Sequence, residues 1–143
     1  MTATYDKLGV QFMYPENWEI MDEDPDSEPR TIAVHNETGA FWSVTVYKSA
    51  VETDQIAETA LAALREEYEE LEAEAVDEQV GQVGATGYDV QFYVQQLVAA
   101  ARIRTFANGE DTVLLLCQAE DREFERLREV FQAMTLSFLQ SPA

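Results

Sequence analysis

The run Val113-Leu114-Leu115-Leu116-Cys117 constrains this chain more than any other segment. Successive side chains of a strand point to opposite faces. Here both sets are apolar, so the strand belongs in the middle of a sheet with both faces covered. Two segments have the period needed to cover it. Ala57, Leu61, Leu64, Tyr68 and Leu71 fall on one helical stripe, which predicts a helix over 54–72. Phe124, Leu127, Phe131, Met134 and Phe138 form a second stripe, which predicts a helix from Asp121 to Met134 and an apolar contact reaching Phe138. One helix on each face is the expected arrangement.

The first helix is expected to start at a Thr53 or Asp54 cap. Its outer face is rich in Glu, with like charges at Glu66/Glu70 and Glu70/Glu74. Such pairs oppose helix formation by roughly 0.2–0.5 kcal/mol each, so packing must hold it. The second helix has Glu120, Asp121 and Glu123 at its start and Arg126 and Arg128 further along, which suits the helix dipole.

The remaining apolar residues alternate as in strands. Val10, Phe12 and Tyr14 form one strand, ended by Pro15, and Trp18-Glu19-Ile20 is a short extended piece. Pro15 is expected to stop the strand and Trp18 to plug the core at the sheet edge. Thr31 to His35, the turn Asn36–Gly39 and Phe41 to Tyr47 read as a hairpin, with Trp42, Val44 and Val46 on one face. Val76 to Val80 reads as a short strand, followed by Gly81, Gly84 and Gly87 as a bend. Tyr88, Val90, Phe92 and Val94 alternate cleanly. In 98–106, Ala99, Ala101 and Ile103 face one way and Arg102 and Arg104 the other. Asn108-Gly109 is the strongest hairpin signal, with both residues expected at positive φ.

The chain is acidic. Its 143 residues contain 9 Lys and Arg against 28 Asp and Glu, a net charge of −19. This excludes nucleic-acid binding through phosphates, because so few cations are available to displace counterions. It also disfavours anionic membranes. No stretch approaches the length of an apolar span. The opening Met-Thr-Ala-Thr-Tyr-Asp-Lys has no basic stretch before an apolar run, so the expectation is a cytoplasmic chain. Lysines are scarce and the acids cluster in 16–28 and 52–78. That pattern suits a surface adapted to high salt, where screening removes most self-repulsion. A patch for a basic partner is the alternative.

Chemical motifs are weak. Asp22, Asp24 and Asp26 alternate like the opening of a calcium loop, but the sixth position is Ser27 and the twelfth is Ala33, where Gly and Glu are required. Pro25 stiffens the segment further, and a solvated acidic loop is the expectation. His35 is the single histidine and Cys117 the single cysteine. The latter sits in an apolar run and reads as a small buried hydrophobe. No phosphate loop, dinucleotide fingerprint or zinc-protease motif occurs. No metal or cofactor is expected. Arg102 and Arg104 are the one cationic pair on a strand face. The two readings are cross-strand pairing with Asp89, Gln91 or a helix acid, and an anion site beside Tyr88 or Tyr93.

The segment Phe12-Met13-Tyr14-Pro15-Glu16-Asn17-Trp18 resembles the aromatic-x-Tyr/Leu-Pro-x-x-Trp opening of the Mog1/PsbP-like superfamily. The order of elements after it is also similar. The resemblance implies an α+β fold over a single domain, 1–143. Its core would be an antiparallel six-stranded sheet, within a range of five to seven strands, between helices: an α-β-α sandwich. It also implies a binding module, not an enzyme. Members include a binder of the GTPase Ran, an extrinsic photosystem II subunit and bacterial chaperones of effector transmembrane segments.

The leading expectation is therefore a non-enzymatic adaptor or chaperone-like module with an unidentified protein partner. It would use an exposed sheet or edge region around Phe41, Tyr47 and Tyr93. A second is a binder or enzyme for a small anionic ligand, with Arg102 and Arg104 in a sheet–helix pocket. A homodimer through a sheet edge is a third. Salt adaptation predicts a melting temperature that climbs steadily with NaCl up to molar concentration; a flat profile would favour the binding-patch reading.

Overall fold

The apolar run lies where its two-sided character demands. The computed structural model describes residues 1–22 and 26–140. Its elements are β1 (Thr2–Lys7), β2 (Val10–Pro15), β3 (Glu19–Met21), β4 (Arg30–His35), β5 (Phe41–Tyr47), α1 (Thr53–Glu67), β6 (Leu71–Val80), β7 (Val83–Val94), β8 (Leu97–Asn108), β9 (Asp111–Glu120) and α2 (Asp121–Gln140). A seven-stranded antiparallel sheet has the order β3-β4-β5-β9-β8-β7-β6, with β9 at its centre. Val113, Leu115 and Cys117 join the core under α2, with Phe124, Phe131, Met134 and Phe138. Leu114 and Leu116 pack into the second core, under Ala57, Leu61 and Leu64 of α1. The α-β-α sandwich follows directly.

Outside the main sheet, β1 and β2 form a separate two-stranded ribbon. It lies on the α2 side, where Phe12 meets the Trp42 ring at 4.8 Å. The Met13 amide donates to Ser137 Oγ at 2.9 Å. Trp18 is buried edge-on against Phe131, with ring centroids 6.2 Å apart. The expected plug is thus present.

Several boundaries move. The first helix ends at Glu67, and Tyr68 is already extended. Tyr68 stacks on Phe92 at 4.0 Å, and Leu71 opens β6 opposite that same Phe92. The helical spacing of Tyr68 and Leu71 is thus a coincidence of two elements meeting one apolar site. Glu66, Glu67, Glu69 and Glu70 crowd the helix C-terminus, where the dipole disfavours anions. The Glu66/Glu70 and Glu70/Glu74 repulsions within a helix therefore do not exist. The helix is capped at Glu52 without a side-chain bond, not by Thr53 or Asp54. The second helix runs to Gln140, so Arg126 and Arg128 sit mid-helix and its last turn has no base.

The glycines also differ from expectation. Gly81, at φ 63, makes the β6–β7 turn, but Gly84 and Gly87 lie inside β7. At Gly87 a Cβ would stand 1.7 Å from the Ile103 carbonyl oxygen, so only glycine permits this approach of β7 to β8. In the β8–β9 hairpin Asn108 pairs with Asp111, so Gly109 and Glu110 are the central residues. Only Gly109 has positive φ, the pattern of a type II′ turn.

Asp22 is not solvated. Its side chain is 8% exposed and pairs with Arg30 at 3.2 Å. Arg30 Nη2 also donates to the Tyr5 hydroxyl, which donates to Asp22 Oδ2. Arg30 Nη1 donates to the carbonyls of Lys7 and Leu8, at 3.0 and 3.3 Å. This pins the β1–β2 turn, where Leu8 holds φ 52, a conformation non-glycine residues resist. Asp24 and Pro25 lie outside the described residues.

Burial alone would raise the Asp22 carboxyl, but the hydrogen bonds from Tyr5 and Arg30 and the guanidinium charge outweigh it and hold the group below its ordinary range. Its folded pKa is then below its unfolded pKa, so the contribution is present above the ordinary carboxylate range and is lost as pH falls through the folded value. Asp22→Asn should lower the melting temperature at neutral pH, and the gap from wild type should close in acid. A gap independent of pH would show that the carboxylate charge is not what stabilises.

Candidate functional site

β8 puts Arg102 and Arg104 on the face that α2 covers, because Ala99, Ala101 and Ile103 occupy the α1 side. Both arginines line a cleft of about 360 Å³ between α2 and the sheet, together with Trp42, Cys117, Phe131 and Thr135. The sheet–helix pocket that the small-ligand reading expects is thus present, with aromatics in its wall.

The donors of Arg104 are occupied, whereas Arg102 is partly exposed and makes a longer ion pair. Arg104 is 8% exposed at its side chain. Its Nε donates to Glu78 at 2.6 Å and its Nη2 to Asp89 at 2.7 Å. Nη1 donates to the carbonyls of Tyr88 and Ile103, at 3.2 and 3.0 Å. The residue facing it across the ladder is Gly87, so no side chain blocks its path over β7. Burial works against the guanidinium charge, but Glu78 and Asp89 outweigh it and raise the pKa further. Arg102 faces Asp89 across the ladder, with Nε 3.8 Å from its Oδ1. Its guanidinium lies over the Phe124 ring, 5.3 Å from the centroid. Cross-strand pairing with Asp89 is therefore what these arginines do. Tyr88 contributes its backbone, and Tyr93 does not enter the network.

The three aromatics divide between two faces. Phe41 and Tyr47 share the α1-side face of β5, since Trp42, Val44 and Val46 belong to the α2-side core. They stand at opposite ends of the strand, about 20 Å apart at the usual rise per residue. Tyr93 lies on the α2 side of β7, because Val90 and Phe92 face α1. It is 45% exposed beside Val94 and Leu97 at the tip of the β7–β8 hairpin, where Gln95 holds φ 57. One patch of Phe41, Tyr47 and Tyr93 does not form.

What does form is an open half-face. The 15-residue α1 lies over β7, β8 and β9. On β3, β4 and β5 the same side of the sheet presents Met21, Ala33, His35, Phe41 and Tyr47 around buried Ser43 and Thr45. Thr31 and Thr45 bond each other across it at 2.9 Å. Sequence reasoning found Phe41 and Tyr47 but missed Met21 and Ala33. The short β3 carries no alternation to announce its face.

Titratable side chains offer little chemistry. Burial pushes the Cys117 thiol up to about 12, so it stays protonated. His35 is half-buried, 3.8 Å from its cross-strand neighbour Glu19. Among the described residues no group of three His, Cys, Asp or Glu converges to hold a metal. No helix of those residues is long and apolar enough to cross a membrane.

No family model and no curated protein matches the chain. Solved structures do. The cyanobacterial PsbP protein CyanoP from Synechocystis aligns with TM-score 0.62 at 14% identity, over 95% of this chain and 90% of its own. A Pseudomonas aeruginosa protein of unknown function aligns with TM-score 0.55 at 11% identity, over 99% of both chains. LpqN of Mycobacterium tuberculosis, a protein of cell envelope biogenesis, aligns with TM-score 0.51 at 11% identity, over 94% and 87%. The likeness is one of fold: this chain has the PsbP-like fold that its opening motif implies.

Two substitutions separate the roles of the arginines. Arg104→Ala leaves the Tyr88 and Ile103 carbonyls short of a donor, and should cost about 2–4 kcal/mol in denaturant unfolding. Arg102→Ala removes a partly exposed pair and should cost about 1 kcal/mol or less. Equal losses would contradict this division.

Proposed function

We propose that this chain, built on the PsbP-like fold, is a non-enzymatic protein-binding module of the cytoplasm. The observation that carries the reading is the half-face on β3, β4 and β5, where exposed Met21 and half-buried Phe41 and Tyr47 stand around buried Ser43 and Thr45, outside the strands that α1 mainly covers. A sheet face of this kind accepts a partner's apolar side chains against aromatic anchors. Acidic residues border it: Glu19 shares its face on β3, and Glu28 lies before β4. An acidic rim favours a partner with a basic surface and speeds its approach. The donors of Arg104 are engaged by the protein itself and the Cys117 thiol is protonated, which leaves Arg102 alone of the pair as an anion handle and weakens the small-ligand reading.

The test is affinity capture with the tagged protein from native lysate at matched salt, beside Phe41→Ser and Tyr47→Asp. Wild type should retain one stoichiometric protein, and both variants should lose it while keeping wild-type circular dichroism. Repeated failure to recover any partner, or equal recovery by the variants, would overturn the reading.

A further inference from the structure

We propose that the outer edge of β6 is a strand-addition site for an extended peptide segment with Lys or Arg at alternate positions and small apolar residues between them. The proposal goes beyond the β3–β5 face and stands without it. The large sheet has two edges. One is β3, only three residues long; the other is β6, ten residues in unbroken register with β7. Among the described residues no turn or loop backbone hydrogen bond reaches the outer side of β6, so the alternate backbone donors and acceptors not paired with β7 face outward. Natural sheets shorten, bulge or interrupt such an edge with proline, or charge it; β6 is long, regular and free of proline, and its only protection is its acids, which repel another acidic strand but not a basic one.

The side chains specify the partner. On the α2 side β6 presents Glu72, Glu74, Val76 and Glu78, and on the α1 side Leu71, Ala73, Ala75, Asp77 and Gln79. Glu78 is held by Arg104, but no ion pair among the described residues takes Glu72 or Glu74. These two carboxylates line a cleft of about 370 Å³ with Asp89, Asp121 and Glu125, along with Arg102 and Arg128. An added strand would put every second side chain next to Glu72 and Glu74, where a cation fits. The intervening side chains would lie beside Ala73 and Ala75, where a small apolar group fits. A second copy of this chain is the wrong occupant, because β6 carries four acids and no cation.

The probe is a labelled peptide of the length of β6, alternating Lys and Val, followed by fluorescence anisotropy and backbone amide shifts. It should bind and perturb residues 71–80. N-methylation of the pairing amides, gathering the lysines into one block, or Glu72→Gln with Glu74→Gln should each weaken it about tenfold or more, the scale expected when ladder bonds and cross-strand pairs are lost. Equal binding of the block or methylated peptide would reduce the effect to bulk charge and overturn the proposal. So would no binding, a β6-to-β6 dimer of the protein alone, or shifts confined to 41–47. The capture experiment on the β3–β5 face reads a different surface, so either proposal can fail alone.

Discussion

The two-sided burial of β9 is the constraint from which the rest of the structure follows. Five apolar residues in a row leave neither face of that strand able to meet water. Full burial of such a side chain contributes about 1.5–3 kcal/mol, gained by Val113 and Leu115 and in part by half-buried Leu114 and Leu116. A helix must lie on each side, and β9 must have a neighbour on each edge. Its hairpin partner β8 takes one edge, and β5 comes from the other half of the chain to take the other.

Two buried arginines hold what the apolar core leaves undetermined. Arg30 ties the β1–β2 ribbon to the main sheet through Tyr5, Asp22 and two turn carbonyls. Arg104 crosses from β8 over Gly87 to Asp89 on β7 and Glu78 on β6. A pair buried on both sides, as Arg30 and Asp22 are, adds little net stability, but breaking it strands the remaining charge and costs about 3–5 kcal/mol. Their role here is positional: non-directional apolar contacts do not fix where a ribbon or an outer strand sits, and a multidentate guanidinium does. In Arg104 the Nε, Nη1 and Nη2 donors are all engaged within the sheet.

The proposed binding roles rest on two surfaces of this fold. The helices mainly cover the centre of the sheet, leaving a partly exposed half-face on β3–β5 and the β6 edge beyond them. Both are bordered by acids, so long-range repulsion discourages self-association while favouring a basic partner. A net charge of −19 makes that field strong at low ionic strength and weak in molar salt.

Much of the fold was legible in the chain. The run from Val113 to Cys117 placed the central strand, and the stripes at Ala57–Leu64 and Phe124–Phe138 placed the helices, because burial and periodicity are local properties. Strand parity put Arg102 and Arg104 on one face and offered Asp89 among several partners; contact chose it, and Arg104 reaches it past Gly87. Tertiary contact alone decided the rest. Tyr68 and Leu71 kept helical spacing yet left the helix for Phe92. Asp22, one acid among many, was buried because Arg30 and Tyr5 reached it across the chain. Phe41 and Tyr47 were separated from Tyr93 by the order in which strands joined the sheet. Sequence determines which side chains avoid water; only the assembled sheet decides which of them meet, because pairing order and face are set between segments far apart in the chain.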